Sequence, residues 1–99
     1  MKKEEIKVLL IEDDSNLGAI TADYLSAKGF NCVWENNGEA GYQAFVKDQF
    51  DIVILDVMMP IKDGFSTAQD IRGIDKNIPI IFLTAKSMKE DTLKGFEIG

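Results

Sequence analysis

Asp51-Ile-Val-Ile-Leu-Asp56 is an unbroken apolar run closed at each end by a carboxylate. Ile52 to Leu55 leave no polar face, which suits a strand covered on both sides rather than one half open to water. Lys7 to Ile11 repeats the pattern and ends in the acids Glu12, Asp13 and Asp14. Ile78 to Leu83 repeats it again and ends in Thr84-Ala85. Working outward from these runs, the apolar period changes to a helical one. Leu17, Ile20, Thr21, Tyr24 and Leu25 recur at helical spacing after Ser15, the expected N-cap, and before Gly29, the expected stop.

The remaining segments fill the gaps in the same way. Asn31 to Glu35 reads as a short strand closed by the turn signal Asn36-Asn37-Gly38. Glu39 to Lys47 reads as a helix with Ala40, Ala44 and Phe45 inward. After Met59-Pro60 and an expected turn at Asp63-Gly64, Phe65, Ala68, Ile71 and Ile74 mark another helix. Ser87 to Ile98, with Leu93 and Phe96 inward, marks a last one. The predicted order β-α-β-α-β-α-β-α, with strands apolar on both faces, gives an α/β fold: a doubly wound parallel sheet in one domain spanning residues 1–99. Such sheets bind ligands outside the carboxyl ends of their strands, beside a switch in strand order.

Bulk properties narrow the chemistry. A net charge of −6 opposes binding to phosphate backbones or anionic lipid by this chain. The longest apolar run is far short of a membrane span and no signal-peptide pattern opens the chain, so a cytoplasmic location is expected, with no membrane partner. Cys32 is the single cysteine and there is no histidine, so chemistry must run on carboxylates, hydroxyls, lysines and backbone.

The strand ends supply such groups. Glu12, Asp13 and Asp14 follow the first strand, Asp56 ends the third and Thr84 follows the fourth. Converging carboxylates repel one another, and a hard divalent cation relieves that cost; Mg2+ suits an oxygen-only site. With a cation present Asp56 can attack phosphorus, Thr84 can donate a hydroxyl, and the small Ala85 leaves room for a phosphoryl group. Each residue alone also has an ordinary structural reading. Acids after strands cap helices, Asp14 most clearly; Thr84 can cap a helix; Met58 and Met59 pack; Cys32 is a small buried hydrophobe; Trp34 and Tyr42 belong to packing or surface.

Taken together, Val8-Leu-Leu-Ile-Glu-Asp-Asp14, Asp51-Ile-Val-Ile-Leu-Asp-Val-Met-Met-Pro60 with Asp63-Gly64, and Pro79-Ile-Ile-Phe-Leu-Thr-Ala85 resemble the receiver domain of two-component response regulators over essentially the whole chain. The resemblance implies a flavodoxin-like (βα)5 fold and a phosphorylation-dependent switch. It implies Asp56 as phosphoacceptor, Asp13 as a direct Mg2+ ligand, Glu12 acting through water, and Met58 lending its backbone carbonyl. Thr84 becomes the switch hydroxyl, with Ala85 beside it at the phosphoryl group. The implied phosphoryl donor is a sensor histidine kinase, with a possible homodimer through the receiver.

In this family an aromatic residue and a Lys-Pro pair normally follow the position of Gly99, so the fifth strand and helix are expected to be missing and the receiver incomplete. Lys86 does not match that lysine and reads as surface. Leu83 to Gly99 resembles regulators of the OmpR/PhoB type, which implies DNA binding through a C-terminal domain absent from these residues. The physics of an unpaired edge adds an expectation: the strand Ile78 to Leu83 offers unpaired backbone and open apolar surface near Ile80 and Phe82, favouring self-association. Two competing readings are disfavoured. An aspartate-nucleophile phosphatase places an acid where Met58 stands, and a flavodoxin-like cofactor binder needs a Gly/Ser/Thr-rich loop after the first strand.

Overall fold

A computed structural model of the chain describes residues 6–57 and 63–83. In chain order the elements are β1 (Lys7–Ile11), α1 (Ser15–Ala27), β2 (Asn31–Glu35), α2 (Gly38–Lys47), β3 (Ile52–Asp56), α3 (Gly64–Ile74) and β4 (Ile80–Leu83). All pairings are parallel and the strands lie in the order β2-β1-β3-β4. The chain runs outward from β1 to β2, then crosses back past β1 to β3. The switch in strand order therefore falls between β1 and β3, the place where sheets of this kind bind their ligands.

Register divides the sheet into two faces. Leu9, Ile11, Val53, Leu55 and Ile80 turn to one side and meet Phe45 of α2 and Ala68 and Ile71 of α3 in the main core, with Ile78 closing it. The other face carries a row across all four strands, Trp34, Leu10, Ile54 and Ile81, set by the pairs Leu10↔Trp34, Leu10↔Ile54 and Ile54↔Ile81. Among the described helices, α1 covers this face at β1 and β2. Cover falls off along the row: Leu10 is fully buried, Ile54 half-buried, and Ile81 44% exposed.

Most expected elements form where the apolar pattern put them, and the differences have local causes. Asp14, not Ser15, caps α1: its backbone is extended (φ −76°, ψ 115°) and its Oδ1 accepts the N–H groups of Asn16 and Leu17 at 2.9 and 3.0 Å. Ile20 and Tyr24, which share the helical spacing, are 67% and 60% exposed, because α1 approaches the sheet through Gly18 instead. Gly29 takes φ 96°, a left-handed conformation that ends the helix as expected.

Further differences fall at α2, α3 and β4. Asn37 caps α2 by accepting from Ala40 N–H at 2.7 Å, so the helix starts at Gly38 and not at Glu39. Asp63-Gly64 is not a turn: Asp63 caps α3, accepting from Ser66 N–H at 2.8 Å, and Gly64 is its first residue. Ile74 lies exposed at the end of that helix. β4 begins at Ile80 rather than Ile78 and stands at the sheet edge among the described strands. Its open apolar side chain is Ile81, whereas Ile80 is buried in the core and Phe82 packs on Phe65 with ring centroids 5.1 Å apart. The helix expected over Ser87 to Ile98 lies outside the described residues.

Candidate functional site

The site grows out of the β1–β3 register. Because Ile11 pairs with Leu55, the next residues, Glu12 just past β1 and Asp56 at the end of β3, stand side by side on the face covered by α1. Glu12 N–H donates to Glu35 O at 3.0 Å, extending the β1–β2 ladder by one residue. Both carboxylates are buried, Glu12 at 1% and Asp56 at 4% exposure, while Asp13 beside them faces solvent. One carboxylate oxygen from each of Glu12, Asp13 and Asp56 lies within 4.8 Å of the other two.

Electrostatically this arrangement is costly without a counter-ion. The Glu12 carboxyl is pushed up to about 7, first by burial and then by the Asp56 and Asp13 carboxylates, against the opposing pull of the Asp14 N–H. Glu12 Oε2 accepts that N–H at 3.1 Å, whereas its buried Oε1 has no hydrogen-bond donor among the described residues. An oxygen-only cluster with an orphaned buried carboxylate oxygen is what a hard divalent cation satisfies, so the residues fit magnesium. Asp14 stays out of the cluster, spending its carboxylate on the α1 cap.

Two supports hold the strand ends in place. Gly64 packs against the backbone under Asp56: a Cβ there would lie 2.2 Å from the Asp56 carbonyl oxygen and 2.6 Å from Val57 Cα. Gly64 N–H also donates to Val57 O at 3.1 Å. On the other side Trp34 Nε1 donates to the Glu12 carbonyl at 2.9 Å. The sequence assigns Trp34 to packing or surface, and spacing carries no signal that its indole reaches the acidic strand end. Of the expected site residues, Glu12, Asp13 and Asp56 are brought together; Met58, Thr84 and Ala85 lie outside the described residues.

Residues 8–99 match the response regulator receiver domain. The chain belongs to that family. The receiver is 53% identical over 96 residues to the transcriptional regulatory protein RprY of Bacteroides fragilis, covering 97% of this chain and 41% of the relative. It is 37% identical over 93 residues to the transcriptional regulatory protein PcoR of Escherichia coli, covering 94% of this chain and 41% of that one. The receiver thus spans about two-fifths of the length of these curated relatives. Its fold matches the response regulator TrrA of Thermotoga maritima, solved in complex with Mg2+–BeF, at a TM-score of 0.81 and 31% identity over 92% of this chain and 79% of that one. The expected flavodoxin-like receiver architecture is therefore established. No helix among the described residues is long and apolar enough to cross a membrane.

Proposed function

We propose that Asp56 is the phosphoacceptor of this receiver and that Glu12, Asp13 and Asp56 hold Mg2+ beside it, with the backbone carbonyl of Met58 completing the protein ligands. The observation that carries this reading is the meeting of three carboxylates within 4.8 Å at the ends of adjacent strands, one of them with an orphaned buried oxygen. Magnesium, when bound, neutralises the phosphoryl oxygens that the carboxylates would otherwise repel.

The chemistry of the chain itself is a displacement at phosphorus. An Asp56 carboxylate oxygen forms the new O–P bond as the P–N bond of a kinase phosphohistidine breaks, and the imidazole leaves with the electron pair. The site-facing backbone fixes the approach: the Gly64 contact sets the height of Asp56, and the α1 cap keeps Asp14 out of the way. Thr84 donates its hydroxyl to a phosphoryl oxygen, and Ala85 leaves that oxygen room. Phosphorylation then biases a receiver dimer, and DNA is contacted through a further domain of a cytoplasmic regulator, a reading supported by the relatives RprY and PcoR being transcriptional regulatory proteins more than twice the length of this receiver.

Incubation with acetyl phosphate and magnesium, followed by rapid quench and intact-mass measurement, tests the assignment. One phosphoryl adduct is expected on the wild type and none on Asp56→Asn. Equal labelling of the Asn variant overturns it.

A further inference from the structure

We propose that Trp34 is a positioning residue for the acidic site, acting on the Glu12–Asp13 peptide through its indole N–H; this rests on the magnesium reading above. Both backbone polar groups of Glu12 are held by β2. Its N–H donates to Glu35 O at 3.0 Å, and its carbonyl accepts from Trp34 Nε1 at 2.9 Å. A peptide unit is planar, so fixing the Glu12 carbonyl also fixes the plane from which Asp13 departs. Asp13 is the exposed member of the cluster, and among the described residues its side chain makes no hydrogen bond that could orient it independently. The direction in which it leaves the strand is therefore set through the backbone.

The indole reaches Glu12 because α1 makes way for it. Gly18 faces the Nε1–Cε2–Cζ2 edge of the Trp34 indole so closely that a Cβ would lie 2.1 Å from Cζ2, 2.3 Å from Cε2 and 2.7 Å from Nε1. Gly18 N–H in turn donates to Asp14 O at 2.7 Å, so the helix turn under the indole is tied to the same acidic segment. Gly18, Trp34 and Glu12 thus form one contact chain from helix to strand to site. The single donor of the ring meets the carbonyl of a site residue, which ties its placement to that peptide.

Three variants separate positioning from packing. Trp34→Phe keeps an aromatic ring and removes the N–H. A benzothienyl isostere of the side chain, introduced by chemical ligation, keeps the full shape and also lacks the N–H. Gly18→Ala leaves the indole intact and displaces it. Magnesium affinity is read by titration calorimetry, and the unfolding midpoint is read separately in chelator. Each variant is expected to weaken magnesium binding by about three- to tenfold, the range set by the net worth of one hydrogen bond. The isostere is expected to do so with the smallest change in midpoint. If the isostere and Gly18→Ala bind magnesium as the wild type does, the proposal falls, whatever happens to their stability. A wild type that takes up no magnesium overturns this proposal together with the reading beneath it, whereas a binding wild type with unaltered variants overturns this one alone.

Discussion

Gly64 and Asp56 touch backbone to backbone, with no room between them for a side chain: a Cβ on Gly64 would sit 2.2 Å from the Asp56 carbonyl oxygen. The obstacle is main chain on both sides, so neither partner can yield by turning a rotamer. Gly64→Ala is expected to cost about 1–3 kcal/mol, as overpacking does, and to slow phosphoryl uptake by shifting Asp56. Urea melts and single-turnover labelling check both effects. A Gly64→Ala protein with wild-type stability and rate would remove this contact from the account.

The elevated Glu12 gives stability a pH dependence of known sign. In the unfolded chain its carboxyl ionises near the ordinary 4.5, while in the folded chain it holds its proton to about 7. Between these values the unfolded state binds fewer protons, so without a metal stability falls as pH rises through this window. Glu12→Gln should flatten that fall. Magnesium favours the ionised form and should stabilise the wild type more at pH 8 than at pH 5. Melts across pH 4.5–8, in chelator and in magnesium, provide the check; a wild type and Gln variant with parallel profiles would refute it.

Asp13 and Asp14 are neighbours with separate duties. Asp14→Ala removes the acceptor for Asn16 and Leu17 N–H and should cost about 1 kcal/mol of stability, the usual loss for a helix cap, with little change in magnesium affinity. Asp13→Asn should weaken magnesium binding at least tenfold and leave the chelator melt nearly unmoved. Calorimetric titration beside thermal melts separates the two. The reverse pattern would mean that the strand end is misplaced by one residue.

Buried and exposed aliphatic residues should part company as sharply. Leu9 is fully buried between the sheet and α2–α3, and Leu9→Ala is expected to cost about 2–5 kcal/mol. Ile20 is exposed on α1, and Ile20→Ala should stay within about 0.5 kcal/mol. Equilibrium urea unfolding measures both, and comparable losses would contradict the burial pattern of α1.

The strands were legible because a run such as Ile52 to Leu55 has one stable use: a strand buried on both faces. The carboxylate cluster was legible for the same reason, since Glu12 and Asp56 each follow directly on such a run. Residue-level detail was not. Asp14 and Ser15 are both good caps, and only the extended backbone at Asp14 decides between them. Ile20 and Tyr24 have the spacing of inward residues, but helical periodicity does not say which side of a broad apolar stripe meets the sheet. That choice depends on Trp34 reaching across to Gly18, a contact between residues with no mark in either local pattern.

The pairing of β1 with β3 also governs when the site can exist. Lys7 N–H meets the Asp51 carboxylate across 44 positions of chain at 2.7 Å. β1, α1 and β2 can dock as a local unit, but that unit holds Glu12 and Asp13 without Asp56. On the ribosome the amino-terminal acids emerge well before their partner, and the crevice closes only when the second crossover has brought β3 against β1. A nascent chain in which β3 has not yet docked on β1 therefore lacks the three-carboxylate cluster, however well its first crossover has folded.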